Sequence, residues 1–340
     1  MILGIESTAH TFGIGIVENG KILANVKESY TTEKGGIIPV DAAAHHKQVA
    51  ESILYKALSE AGLNIEDLNN KKIKAIAFSQ GPGLSPCLLA GMHFAKKLAK
   101  EYNLPLIGVN HCVAHLEIGK ITGAKDPVLL YASGANTQII AYAGGKYRVF
   151  GETLDIGIGN FIDTFARHAG LGFPGGPKIA KIVEQLEGEV DKEKLGSHYL
   201  ELPYSIKGMD VSFSGMLTKL QQMLNSKKYK LEDLSFSLQE TAFAMLVEAS
   251  ERALAHTGKK ELVIGGGVGC NKRLQEMCRI MCEERNARFF TPDNSLLVDN
   301  AAMIAYLGEI MFKAGIKEKN LDKVDIMPRQ RTDDVIVGWK

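Results

Sequence analysis

The chain repeats itself. A shift of 126 positions lays Ser7 on Ser133, Ala9 on Ala135, Thr11 on Thr137 and Ile14 on Ile140, and a shift of 125 lays the turn Asn19-Gly20-Lys21 on Gly144-Gly145-Lys146. Each copy reads as strand, small polar turn, strand, tight hairpin, strand. The first copy places strands at Ile2–Glu6, Phe12–Val17 and Ile22–Lys27; the second places them at Val128–Tyr131, Gln138–Ala143 and Tyr147–Phe150. Asn-Gly between apolar runs is a strong hairpin signal. Two such units, each followed by helices, predict a duplicated α/β architecture. In such folds ligands sit beyond strand ends, in a crevice between the halves.

The remaining segments fit that plan. Helical pattern covers Val40–Ala61, and a buried-type strand at Lys74–Ser79 leads through Gly81-Pro82-Gly83 into a helix from Ser85. A strand at Pro105–Val109 precedes a helix from Cys112. After the second copy come helices at Phe161–Ala169, Lys178–Leu186 and Leu231–Ala255, with Glu187–Asp210 reading as loop or insertion. A strand at Glu261–Ile264 enters a glycine run, followed by a helix over Asn271–Arg285, a strand at Arg288–Phe290 and a last helix opened by Asp299. The tail Lys317–Lys340 is polar and charged.

Composition narrows the function. With 340 residues, 45% hydrophobic and 23% charged, the chain is neither disordered nor fibrous and is long enough for two domains. Its formal charge of +1 is not that of a self-sufficient nucleic-acid binder, so any basic surface must be local or come from a partner. No apolar run is long enough to span a membrane, and Met1–Glu6 reads as a strand and not as a signal peptide. Five cysteines without a CxxC pair point to thiols in a reducing cytosol. Cys278 and Cys282, four apart on a helix, read as buried thiols or as a soft-metal pair.

Several motifs carry chemistry. The loops Ser7–Thr11 and Ser133–Thr137 offer backbone N–H and hydroxyl groups that can cradle phosphate oxygens, or are plain turns. Gly265-Gly266-Gly267-Val268-Gly269-Cys270 fails the dinucleotide fingerprint because Cys270 stands at its last glycine, and no Walker A sequence occurs. Asn271 after it reads first as a helix cap. Asp155–Asn160, followed by Asp163, and Phe173–Pro177 place amides at helix N-termini, where anions and ribose hydroxyls bind. His111 and His115, at i and i+4, share one helix face and suit a common metal ion; Tyr131 and Asp299 are candidates to complete it, against a core tyrosine and an N-cap. Cys112 occupies the position where a zinc protease of the HExxH type needs its glutamate base. His45-His46, adjacent and so facing different ways, reads as surface or packing.

Taken in order, these motifs resemble a known family. Gly35–Pro39 with His45-His46, Gly81–Leu84, Asn110–His115, Tyr131–Gly134, Asp155–Asn160, Phe173–Pro177, Asp210–Gly215, Gly265–Val268 and Asp299–Ala301 together look like the tRNA N6-adenosine threonylcarbamoyltransferases, the TsaD family. Its archaeal and eukaryotic members are the catalytic subunit of the KEOPS complex and were formerly called glycoproteases. The resemblance runs from Gly4 to about Ala305.

The resemblance implies an actin-like ATPase (ASKHA) fold of two duplicated RNase H-like lobes with an inter-lobe cleft. One lobe would take 1–126 with roughly 300–340, the other 127–299 with helical insertions. It implies His111, His115, Tyr131 and Asp299 as ligands of one divalent metal, Fe or Zn. Tyr131, Ala132, Ser133, Gly134 and Ala135 match the phosphate loop for an adenine nucleotide, threonylcarbamoyl-AMP or ATP. Asp163, Gly176 and Asn271 match ribose and adenine contacts. Ala180 stands where some archaeal relatives carry a ribose-facing carboxylate, and Ala9-His10 stand where bacterial relatives carry Cys-Asp, which makes His10 the candidate base. The implied partners are tRNA and the KEOPS subunits: a small dimerising subunit, a small RIO-like kinase/ATPase and a tRNA-binding subunit. A separate synthase supplies the donor, there is no membrane partner, and the location is cytoplasmic. Metalloprotease and nucleotide-binding regulatory subunit are the competing classes.

Overall fold

Both copies of the repeat build the same sheet. The computed structural model describes residues 1–32 and 36–340, so Gly35 of the Gly35–Pro39 motif lies outside the described residues. In the first copy β1 (Ile2–Glu6), β2 (Thr11–Glu18) and β3 (Lys21–Ser29) form an antiparallel set. Then follow α1 (Pro39–Glu60), α2 (Glu66–Asn69), β4 (Ala75–Gly81), α3 (Ser85–Tyr102), β5 (Leu106–Asn110) and α4 (His111–Gly119). The sheet order is β3-β2-β1-β4-β5, with β4 parallel to β1 and β5 parallel to β4.

The second copy begins with β6 (Val128–Ala132), β7 (Thr137–Ala143) and β8 (Lys146–Glu152). Next come α5 (Ile158–His168), α6 (Gly175–Glu189), the short pair β9 (Ile206–Lys207) and β10 (Asp210–Val211), α7 (Ser214–Asn225) and α8 (Leu231–Thr257). The chain closes with β11 (Glu261–Gly265), α9 (Lys272–Glu284), β12 (Arg288–Phe290), α10 (Asn294–Leu297) and α11 (Ala301–Lys313). Its sheet order β8-β7-β6-β11-β12 reproduces the first, strand for strand. The hairpin tips agree in detail: Asn19 and Gly20 have φ of 49° and 77°, Gly144 and Gly145 of 59° and 78°. Two positive φ values in succession make the type I′ turn that matches strand twist.

The chain divides into two compact units. One takes Met1–Gly123, Ala143–Arg148 and Asp293–Lys340; the other takes Ala124–Tyr142 and Val149–Pro292. In the first, all five residues of β1 are buried, as expected for a strand covered on both faces. The helix α11 crosses so closely that a Cβ on Gly4 would lie 2.4 Å from Ala305 N, and one on Gly15 2.5 Å from Ala302 N. Glu309, on the same helix, reaches the first hairpin: its two oxygens accept Asn19 N at 2.6 Å and Gly20 N at 2.8 Å. Burial pushes this carboxyl up, but the Lys313 ammonium and the two amides outweigh it and hold it below its ordinary value. A depressed carboxyl contributes stability at neutral pH that disappears as pH falls through its folded pKa. Glu309→Gln should therefore cost about 2 kcal/mol at pH 7. By urea unfolding the gap between variant and wild type should narrow as pH falls below the ordinary glutamate range.

The structure departs from the sequence reading at several elements, α7 and the start of α11 chief among them. Helix α7 was not expected; its Ser-Gly start and polar face hide buried Met216, Leu220 and Met223. Asp299 does not open the last helix. Asn300 is the N-cap, accepting Met303 N at 3.0 Å, and α11 begins at Ala301. The polar tail is an integral part of its unit. Glu318 bridges Leu106, Met327 N donates to Gln80 O at 2.7 Å, and Asn110 Nδ2 donates to Gln330 Oε1 at 3.0 Å. Further on, Lys340 Nζ lies 3.3 Å from Glu117 on α4.

Candidate functional site

The first unit brings three chemically apt side chains together. Strand β5 ends at Asn110, whose Oδ1 accepts Val113 N at 3.1 Å and so starts α4. Every residue of α4 is buried, so the i,i+4 imidazoles of His111 and His115 sit in a dry setting. Their rings lie 4.8 Å apart, edge to face. From the other end of the chain, Asp299 Oδ1 comes within 3.3 Å of His111 Nε2 and 3.5 Å of His115 Nε2. The three ligand atoms lie within 4.8 Å of one another. A tetrahedral ion with bonds of about 2.0–2.1 Å needs ligand atoms roughly 3.3 Å apart. The donor set, two imidazole nitrogens and a carboxylate oxygen, fits iron or zinc.

Outer contacts fix the ligand forms. Glu6, fully buried at the end of β1, places Oε2 3.0 Å from His111 Nδ1. An ionised carboxylate only accepts, so Nδ1 carries a proton toward Glu6, which leaves Nε2 as the nitrogen that would bind an ion. Thr8 holds the other Glu6 oxygen with its N–H at 2.7 Å and with its hydroxyl. Burial pushes the His115 imidazole down, which favours its neutral form. Burial opposes ionisation of Asp299, yet the His111 and His115 imidazoles hold its carboxyl well below the usual range. Lys27 Nζ donates to the Asp299 carbonyl at 3.0 Å and steadies the turn.

Reasoning from sequence missed Glu6, Thr8 and Lys27. The signal for Glu6 was present: an acid inside a wholly buried strand needs a partner. Tyr131 belongs to the second unit, where it pairs with Gly265 across β11 and is buried. His10 is half-buried on the Ser7–Thr11 loop, and its carbonyl accepts Tyr30 N at 2.8 Å.

The second unit gathers the nucleotide candidates at the C-terminal ends of β6 and β11. Ala132 is buried at the end of β6. The loop after it is closed by Ser133 N donating to Asn136 O at 2.9 Å, and it leaves Gly134 and Ala135 exposed. The first turn of α5 docks on it, with Gly159 N on Ser133 O at 3.0 Å and Asn160 N on Gly134 O at 2.9 Å. Gly266, at φ 88°, crosses so near that a Cβ would stand 2.2 Å from Ala132 O. Asp163 Oδ1 accepts Gly175 N at 2.7 Å, tying α5 to the start of α6, and Gly176 beside it faces open space. Asn271 is the helix cap: Oδ1 accepts Arg273 N at 2.8 Å, while Nδ2 donates to Gln239 at 2.9 Å. Cys278 and Cys282 are buried thiols, both pushed up chiefly by burial, and are not part of the metal cluster found among the described residues.

A family model described as tRNA N6-adenosine threonylcarbamoyltransferase matches residues 21–306. A protein of that name from Thermococcus sibiricus is 56% identical over 337 residues, covering 99% of both chains. The chain belongs to the threonylcarbamoyltransferase family, TsaD. A TsaD relative from Bos taurus is 48% identical across 100% of this chain and 99% of its own. A probable bifunctional tRNA threonylcarbamoyladenosine biosynthesis protein of Methanosarcina mazei is 51% identical over 99% of this chain, which spans 59% of that longer protein.

Among solved structures, HypF of Thermococcus kodakarensis matches 94% of this chain and 48% of its own with a TM-score of 0.56 at 14% identity. The Acidaminococcus fermentans (R)-2-hydroxyglutaryl-CoA dehydratase component A matches 90% and 98% with 0.52 at 13%. At such identities the likeness speaks for the fold alone. With the twin sheets it makes this TsaD-family chain an α/β protein of the actin-like ATPase (ASKHA) class. No helix among the described residues is long and apolar enough to cross a membrane.

Proposed function

We propose that this chain transfers the threonylcarbamoyl group from threonylcarbamoyl-AMP to N6 of adenosine 37, 3′ of the anticodon in tRNAs reading ANN codons. The product is t6A. The chain acts in the cytoplasm as the catalytic subunit of a KEOPS-type assembly. The observation that carries this reading is full-length membership in the transferase family.

The reaction is an acyl transfer. N6 attacks the carbamoyl carbon, the bond from that carbon to the phosphate oxygen breaks, and AMP leaves with the electron pair. An amine conjugated to a purine is weakly basic, so a base takes its proton as the bond forms. His10, half-buried on its loop, is our candidate for that base. The exposed amides of Gly134 and Ala135 hold the phosphate of the leaving group, where developing charge needs donors. Asp163, Gly176 and Asn271 serve the ribose and adenine. Asn271 does so while capping α9. His111, His115 and Asp299 hold a divalent iron or zinc ion, with Tyr131 added as fourth ligand on the family resemblance. When bound, that ion supplies Lewis-acid stabilisation of charge on donor oxygens.

A net charge of +1 leaves much of the RNA contact to partner subunits, because phosphate contacts dominate such affinity. In a filter-binding assay at physiological salt, the isolated chain should therefore bind tRNA more weakly than nanomolar. The deciding experiment is a single turnover with purified threonylcarbamoyl-adenylate and tRNA, with and without the partner subunits, read by mass spectrometry of the nucleosides. Appearance of t6A supports the assignment. Its absence with all partners present, or cleavage of a glycoprotein instead, refutes it.

A further inference from the structure

The loop that carries His10 is held by an imidazole with no assigned role. Three successive carbonyls of this loop are each taken by a donor from a different element: Thr8 O by Leu84 N at 2.8 Å, Ala9 O by His46 Nε2 at 2.9 Å and His10 O by Tyr30 N at 2.8 Å. Two donors are backbone amides, which side-chain exchange short of proline leaves in place. The third is a side chain, on α1, and it is 0% exposed. A carbonyl only accepts, so His46 Nε2 carries the proton. His46 Nδ1 is buried with no hydrogen-bond partner among the described residues. An imidazole kept in place with one nitrogen unsatisfied is costly as packing alone, and a leucine would fill the same space without that cost.

The surroundings set its form. The Phe12 ring lies 5.6 Å away and that of His45 5.9 Å away. Burial pushes the imidazole down to about 4, against the raising influence of the Ala9 bond and Glu6 and with the lowering influence of His45 and His10. The ring is therefore a neutral donor at any working pH. What it holds is one residue from Thr8, which grips Glu6, which in turn orients His111.

We propose that His46 is a positioning residue for the transfer: its Nε2–H fixes the Ala9 carbonyl and thereby the loop that presents His10 and braces Glu6. This rests on the transfer reaction proposed above. The test compares His46→Leu with His46→Gln, which keeps an N–H donor, in the assembled complex. His46→Leu should lower kcat about 30-fold with KM for adenylate and tRNA unchanged, and His46→Gln should recover most of that loss. The pH profile of kcat should keep its shape in both. A second reading needs no activity: amide exchange at Leu84 and Tyr30, whose N–H groups bond the loop, should speed up at least about tenfold in His46→Leu. Wild-type kcat and exchange in a folded His46→Leu overturn the proposal. Loss of an ionisation from the pH profile, unrescued by glutamine, also overturns it, by making His46 the base itself. If His46→Leu does not fold, unprotected Leu84 and Tyr30 amides in folded His46→Gln with a wild-type rate overturn it. A wild-type complex that makes no t6A sinks the reaction and leaves the exchange measurement to judge the loop.

Discussion

Exchanging His111 and His115 together for alanine should abolish metal binding and lower threonylcarbamoyl transfer about 1,000-fold, equal to some 4 kcal/mol of lost transition-state stabilisation. Two of the three gathered ligand atoms vanish, and Asp299 alone cannot hold a divalent ion against water. The protein should stay folded, because both rings lie on one helix whose other residues remain buried among neighbours. Elemental analysis and single-turnover kinetics read the two effects separately. Glu6→Gln should give a graded version, with metal affinity down 10- to 100-fold, roughly the usual cost of an altered outer partner. A double alanine variant that keeps its metal and its rate would show that the cluster is a buried ion pair and nothing more.

The second large effect concerns a single methyl group. Gly157 is the N-cap of α5, against the Ser133–Asn136 loop that we propose holds the phosphate, and a Cβ there would stand 2.5 Å from both Gly134 O and Ala135 O. Gly134 O cannot retreat without breaking its bond from Asn160 N, and the preceding Ser133 O is held by Gly159 N. Gly157→Ala must therefore displace the loop, at an overpacking cost of about 1–3 kcal/mol. Affinity for an adenine nucleotide should fall roughly 10- to 100-fold by calorimetry, with a lower melting temperature. Gly188→Ala is the control: it lies in α6 with nothing near its missing Cβ, and alanine there should be neutral or stabilising by up to about 1 kcal/mol. Undiminished nucleotide binding in Gly157→Ala would remove the loop from the binding site.

Much of this was legible in the residues because local chemistry carried it. Asn19-Gly20 and Gly144-Gly145 announced their turns, since few other residues tolerate two positive φ values in a row. The i,i+4 spacing of His111 and His115 announced a shared face. What stayed hidden depended on distance along the chain. Asp299 was named as a candidate ligand with His111, 188 positions earlier (299 minus 111), but its own surroundings suggested only a cap, and Asn300 next to it took that role. His46 read as surface or packing because adjacent histidines face different ways. They do: His45 points toward Glu28, and His46 points inward to a carbonyl that no local pattern reveals. The tail read only as polar and charged because its contacts, such as Gln330 with Asn110 and Lys340 with Glu117, are polar and join residues far apart in the chain.

The interrupted path of the first unit has a consequence for how the protein is made. Its sheet is built from early residues, yet α11 and the tail that cover it come from Asp293–Lys340. A ribosome delivering the chain from its N-terminus finishes the second unit first, at Pro292, while β1 to β5 still wait with one face bare. Nascent chains stalled before α11 should thus bind chaperones through that exposed apolar sheet, and release should coincide with emergence of the final helix.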